Sequence, residues 1–529
     1  MTAHRVVRVA ATAVLLLFIL VIYLVAMFFS RRAIALLGAA PLLTSVSAKV
    51  DVAWYPPSQS EINDLDKVLN AEGVYGFIYN SSETPDDKYG SYNWCNMPHV
   101  RKAEYVRPSR EYELQYVELI HRHHKRTPYS SNAFPVEPYQ WNCNDMGLYY
   151  YGEPWEGHDS SSRTYWQGYI SSVNPFVPSG WIGTCQFPQI TAEGLDDSWV
   201  HGADLYGVYH DLLGFLPSKR EDWTKTVKYR VTNNVITSQV AGMLVNGMWG
   251  VRDPIPLLIQ ASAIDSLEPK YSCSASSKAF DAIKSSANPA WQKHLDASSS
   301  LYATLDDISG VPTSDSGFHA SFDHYYDNLS ARQCHAKPLP CKLVNGANST
   351  TCVTQDLADA VYRMGNWEYS QIYRDASTSL SASVASYGVW VAELAANLRS
   401  AVEGNNSVRY MHNIAHDGSV SRLLSILQID TMVWPGMGSE VVFELWKKKA
   451  GRRARGFEER RGRKPGGHKG HDDDDDDGEY VVRVLFGGRV LKSSSPTLGV
   501  MNMIPVQTLL DYFDGLVGEN ASLVKQLCA

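Results

Sequence analysis

Neither a CxxC pair nor any zinc-type cysteine spacing occurs in this 529-residue chain, which removes the common cysteine-based zinc sites from consideration. Basic charge is also short. Forty-eight Lys and Arg stand against 56 Asp and Glu, a net charge of −8. Binding to a phosphate backbone needs a broad basic surface, so nucleic acid is excluded as the main partner. No internal repeat is present, which sets solenoids and propellers aside. The one long acidic run, Asp472–Asp477, lies in a charged segment rather than at the end of a strand. A luminal type II glycosyltransferase would place a metal-binding Asp-x-Asp at a strand end, and is therefore the weaker alternative.

What the chain does have begins at its N-terminus. Val9 to Phe29 is an uncharged, mostly aliphatic run bracketed by Arg5/Arg8 and Arg31/Arg32, long enough to cross a bilayer as a helix. From Met27 a second pattern starts: a basic region, a short apolar region, and Val46-Ser47-Ala48 with the small-x-small character of a signal-peptidase site. Residues 1–48 are thus expected to be a signal anchor or a cleaved signal peptide. Either sends residues 49–529 into the secretory pathway, extracellular or membrane-anchored. The eight cysteines (95, 143, 185, 273, 334, 341, 352 and 528) are even in number and fit disulfides, with a pairing that spacing leaves open. N-x-S/T sequons at Asn80, Asn328, Asn348, Asn405 and Asn520 point to N-glycans in the same compartment.

Periodicity predicts an α/β chain. A short helix is expected near Ser60–Leu69 and a short strand at Val74–Ile78. Tyr112–Ile120 reads as a strand, residues 129–186 as long loops, and the segment from Thr191 as a helix. Strand and helix follow at 226–234 and 235–249, then again at 408–415 and 419–429. Residues 251–400, rich in Ala, Ser and Leu, predict a mainly helical subdomain inserted between the core parts 49–250 and 401–529. The expected architecture is a three-layer α/β/α core with a central mixed sheet. Alternating runs at 440–446 and 479–486 read as hairpin arms around a charged insert, 447–478, whose like-charge blocks predict disorder.

Three clusters of charge close strand-like runs: Arg122-His123 with Arg126, then Arg230, then His416-Asp417. Ligands of open α/β sheets bind at the carboxyl ends of strands. Guanidinium forks match phosphate oxygens bidentately, so three of them with two imidazoles would make a phosphate pocket. His121 and His124 are read as bystanders, His201, His210 and His412 as structural, and Trp434-Pro435 as packing.

At these residues the chain resembles the histidine acid phosphatases, in their phytase-like branch and secreted fungal type. Arg122-His123-His124-Lys125-Arg126-Thr127-Pro128 is similar to that family's Arg-His-Gly-x-Arg-x-Pro. Ile190-Thr191-Ala192-Glu193-Gly194 with Gly202 resembles its Leu-Thr-x-x-G element, Arg230-Val231-Thr232 its mid-chain Arg-Ser-Thr, and His416-Asp417 its late His-Asp pair. The resemblance spans about residue 50 to the C-terminus, with the motifs in the family's order. It implies an acid phosphomonoesterase with His123 as nucleophile, forming phosphohistidine, and Asp417 as proton donor. Arg122, Arg126, Arg230 and His416 would hold the phosphate. It implies no metal and no organic cofactor. An acidic optimum is expected, with Asp417 protonated at low pH. The chain departs from the pattern at His124, a bulky ring where the family has Gly, and at Ile236 and Asp197. A phosphatase-like binding protein without turnover is the remaining alternative.

Overall fold

The computed structural model describes residues 50–76, 91–136, 139–143, 148–151, 163–166, 182–251, 255–449 and 479–529, with isolated residues between 169 and 180. The apolar run 9–29, the 46–48 cleavage pattern, Asn80 and most of the charged insert lie outside them. Among the described residues no helix is long and apolar enough to cross a membrane.

The centre is a mixed sheet. Its main strands are β1 (Tyr112–Arg122), β2 (Val227–Val231), β3 (Tyr410–Ala415), β4 (Glu440–Lys448) and β5 (Tyr480–Phe486). β1 pairs in parallel with β3, and β3 with β2, while β4 lies antiparallel to both β1 and β5. Short strands at Leu257–Leu258, Arg489–Val490 and Ile504–Pro505 extend the edges. β1 is buried along nearly all its length, as an apolar central strand covered on both faces must be. Its side chains alternate: Tyr116 and Ile120 enter one core, Val117 and Leu119 the other.

The face carrying Val117 packs on α1 (Ala192–Tyr206) and α2 (Val235–Trp249). Thr191 caps α1 through its hydroxyl, which accepts from the Gly194 N–H, and Asn234 caps α2 in the same way. The two helices touch backbone to backbone. A Cβ on Gly202 would stand 2.1 Å from the Leu244 carbonyl oxygen, and one on Gly247 2.1 Å from that of Trp199.

Among the described residues of 251–400 the regular elements are helices, apart from the short edge strand Leu257–Leu258 and a small hairpin, Cys341–Val344 with Ala347–Cys352. They do not pack as one unit. Helices α3 (Asp323–Cys334) and α4 (Gln355–Ser370) share a core with Ile62, Val68 and Trp94 on one side and Trp434 and Met437 on the other. α5 (Ser379–Val402) instead covers the Tyr116 face of the sheet, beside α6 (Asp417–Ile426) and α7 (Val506–Val517). The pattern of α5 suits that place: Leu380, Val384, Tyr387, Val391, Leu394 and Leu398 recur at helical spacing and enter the core on the Tyr116 face.

Several smaller expectations shift. The first helix is shorter than read, Leu65–Asn70, and residues 74–76 of the expected strand 74–78 form turn and bend instead. The hairpin arms pair as read, but Lys447 and Lys448 belong to β4, because their backbone bonds continue across to Tyr480 and Glu479. All eight cysteines are paired: 95–334, 143–185, 273–528 and 341–352. Four disulfides agree with synthesis in an oxidising compartment.

The sequons separate by burial. Asn348, Asn405 and Asn520 are exposed, but Asn328 is buried in α3, donating to the Asn132 carbonyl and accepting from Arg332. Expressed through a eukaryotic secretory pathway, the chain is expected to carry glycans at those three and none at Asn328. Glycopeptide mass spectrometry checks this, and occupancy at Asn328 would contradict the burial.

Candidate active site

The parallel strands β1 and β3 end side by side, and their carboxyl ends present the charged residues. The His123 N–H donates to the Ala415 carbonyl at 3.0 Å, and the His123 carbonyl accepts from the Gly438 N–H at 3.1 Å. The nucleophile candidate is therefore pinned between β3 and the entry to β4. Its Nδ1 lies 2.9 Å from the His124 carbonyl. A carbonyl only accepts, so Nδ1 carries the proton and Nε2 keeps a free lone pair. Burial, then the charges of Arg126, Arg122 and His416, hold this imidazole well below its usual protonation range. The ring packs edge-on to His416, centroids 5.4 Å apart.

Arg122 is buried beneath the Trp94 ring at 4.5 Å and donates to the Pro435 carbonyl at 2.6 Å. Its second fork nitrogen reaches Asp417 at 3.1 Å. Asp417 opens α6 and also accepts from the Trp434 indole N–H at 2.9 Å and the Gly418 N–H at 2.7 Å. Burial alone would raise this carboxyl, but Arg122, Trp434, Arg126 and His416 together outweigh it and hold it below the ordinary Asp range. This direction runs against the expectation that Asp417 is readily protonated in mild acid.

Arg126 is buried against Asp327 at 3.0 Å and over the Tyr129 ring at 4.2 Å. Asp327 also accepts from the Tyr129 N–H and the Asn132 amide. Neither the Arg122 Nε nor the Arg126 Nε has an acceptor among the described residues. His416, at the mouth of α6, contacts the Thr232 hydroxyl at 3.0 Å and Glu268 at 3.4 Å. Burial would raise Glu268, yet His416 and Lys270 hold it at about 2.

Arg230, on the same face of the sheet, is held by partners of its own. Its guanidinium is bound by Glu393 at 2.7 Å, Gln260 and Ser266 at 2.8 Å, and Asp265 at 3.4 Å. It stands opposite Asn413 in the sheet register, three positions before His416, and its side chain serves the loop that carries Glu268.

The departure at His124 resolves the other way. Its ring turns from His123 and is buried over Gly438, whose positive φ of 72° and missing Cβ make the room; a Cβ there would lie 2.4 Å from the imidazole. Trp434 does pack, on Tyr369 and Trp94, but it also donates to Asp417. Asp327 and Asp323 were missed, since α3 is distant in sequence and neither sits at a strand end. Burial and the charges of Asp327, Asp417 and Glu368 push Asp323 up to about 7.

No protein-family model matches the chain. It is similar to counting factor 60 of Dictyostelium discoideum, 24% identical over 351 residues, which is 63% of this chain and 76% of that protein. Among solved structures it is similar to Hafnia alvei phytase in complex with tartrate (13% identity, TM-score 0.48, covering 78% of this chain and 99% of that one). It is also similar to the D. castellii phytase (15%, 0.40, 87% and 92%). A third is the Bifidobacterium longum multiple inositol polyphosphate phosphatase in complex with phosphate (10%, 0.41, 75% and 92%).

Two of these ion pairs, Arg126–Asp327 and Arg230–Glu393, differ in redundancy. Asp327→Ala leaves Arg126 buried without a carboxylate, an expected loss of about 3–5 kcal/mol. Glu393→Ala leaves Arg230 with Asp265, Gln260 and Ser266, so a clearly smaller loss is expected. Urea unfolding of both variants checks the order, and equal losses would refute it.

Proposed function

We propose that the protein is a phosphomonoesterase of the histidine acid phosphatase type, working through a phosphohistidine on His123. One observation carries the reading: an imidazole with a free Nε2 lone pair, two buried guanidiniums and a carboxylate meet at the ends of adjacent parallel strands. Arg122 and Arg126, each with an Nε–H that lacks an acceptor, take the phosphoryl oxygens and neutralise charge as it develops. His416 takes a third position. His123 Nε2 attacks phosphorus, forming a P–N bond as the P–O bond to the alcohol breaks. The leaving oxygen receives the proton of Asp417. Water then attacks phosphorus from the same side, Asp417 takes its proton, and the P–N bond breaks to release phosphate and restore His123.

The resting Asp417 carboxylate fits this sequence because the substrate supplies the missing step. A phosphate dianion on Arg122 cancels the positive charge that depresses Asp417, so binding itself favours its protonation. Arg230 acts at one remove, holding the 260–268 loop and thereby Glu268 beneath His416. A binding protein without turnover drew its motive from the bulk of His124, and that ring points away from His123. Four disulfides and three exposed sequons support a secretory-pathway location, with the N-terminal segment as signal or anchor. The type of substrate within the phosphomonoesters is left to a panel measured by phosphate release.

Rapid quench of a phosphomonoester turnover is expected to trap an acid-labile, base-stable phosphate on His123, absent with all activity in His123→Ala. Asp417→Asn is expected to cripple alkyl phosphates and to spare an activated aryl phosphate, whose leaving group needs no proton. Full activity in His123→Ala ends the reading; equal losses for both leaving groups end the assignment of Asp417.

The sign of the Asp417 shift gives a separate test. Arg122 is the largest of the groups holding the Asp417 carboxyl below the ordinary Asp range, and an oxyanion on Arg122 would offset that charge and raise it. Sulfate binding at pH 5 is therefore expected to take up protons, measured by calorimetry in buffers of different ionisation enthalpy. Asp417→Asn should lose most of that uptake, and uptake undiminished in this variant would disprove the coupling.

A further inference from the structure

On the opposite side of β1 from Arg122 lies a second cluster that phosphoryl transfer does not use. His121 of β1, His412 of β3, His201 of α1, His124 and His99 are all buried, four of them with no exposed surface. His201 is at the centre. Its ring stacks on His99 at 4.2 Å and meets His121 at 4.8 Å and His124 at 5.2 Å. One ligand atom from each of His121, His124 and His201 lies within 4.8 Å of the others.

The hydrogen bonds fix where the lone pairs point. His121 Nδ1 lies 2.7 Å from the Arg122 carbonyl and so carries the proton, which leaves Nε2 as a bare acceptor; that nitrogen is buried with no partner among the described residues. His201 Nε2 lies 3.0 Å from Glu440, a carboxylate that also accepts from the Val100 N–H. His201 therefore donates from Nε2 and turns the lone pair of Nδ1 toward His124 Nε2, 3.1 Å away. His124 Nδ1 is buried and unpartnered as well. Leaving such nitrogens unmet in a dry interior is unfavourable by roughly 1–3 kcal/mol each. A carboxylate behind an imidazole is the arrangement that orients a histidine for a metal.

We propose that His121, His124 and His201 bind one divalent transition-metal ion of the zinc class, with Glu440 setting the His201 tautomer. Three neutral imidazoles form a set that such ions favour over magnesium or calcium, which prefer oxygen. The site is structural: it clamps β1, α1 and the start of β4 together. It also fixes the His124 backbone, whose carbonyl holds the His123 ring. No step of the reaction passes through the ion.

The test uses the full chain, free of any histidine tag, stripped with a chelator and titrated with Co2+. Expected are one equivalent of cobalt bound, a visible spectrum of low-coordinate histidine ligation, displacement by Zn2+, and a rise in melting temperature. His121→Ala and His201→Ala should abolish stoichiometric uptake. Glu440→Gln should weaken it about 10–100-fold, and His210→Ala, an accessible histidine just beyond α1, should leave it unchanged. Near-UV circular dichroism verifies that each variant is folded, and His121→Gln replaces an alanine variant that is not. A wild-type chain that takes up less than one equivalent overturns the proposal, as does uptake that survives in folded His121 and His201 variants. Neither readout depends on phosphatase activity.

Discussion

Two guanidinium charges held out of water at the ends of parallel strands are the constraint around which the rest of the molecule is arranged. Arg122 and Arg126 are almost completely buried, and an unpaired charge there would be prohibitive. Each is given a carboxylate from elsewhere in the chain: Asp417 from the start of α6 and Asp327 from within α3. Those partners tie the sheet to the helical part, so the elements that neutralise the site also close the fold. The disulfide from Cys95 to Cys334 fastens the same junction covalently, joining the loop that carries Trp94 to the end of α3.

The pairing leaves the site electrostatically divided. Around His123, burial and the positive charges of Arg126 and Arg122 favour the neutral imidazole. On the other side, burial together with the charges of Asp327, Asp417 and Glu368 raises Asp323 to about 7. Asp417 touches both regions: Arg122 binds it, and its own charge adds to the rise of Asp323. A carboxyl in that position changes its protonation when an anion arrives, because the incoming charge alters the balance that sets it.

The alternation of β1 gives the opposite faces of one strand different chemistry. Arg122 faces His123 and Asp417, while His121 enters the layer beneath α1, where a belt of imidazoles meets Glu440. His124 belongs to that belt although it follows His123 directly, and its carbonyl links the two regions through the His123 ring.

Local pattern made the main elements legible. The apolar run from Tyr112 and the helices opening at Thr191 and Asn234 announce themselves by period and cap. So do the strand–helix step at His416 and the two hairpin arms. His123, Arg122, Arg126 and His416-Asp417 could be picked out because each closes a strand, and strand ends are where open sheets bind ligands. Three things were decided only in three dimensions. Arg230 closes a strand too, yet Glu393 and Asp265, distant in sequence, claim its guanidinium. His124 reads as an obstruction until Gly438 makes space for its ring. α5 reads as one more helix of its region until it proves to lie on the Tyr116 face of the sheet. Period, caps and strand ends are fixed by near neighbours along the chain. Where a long charged or aromatic side chain finds its partner depends on residues hundreds of positions away, which only the folded structure brings into reach.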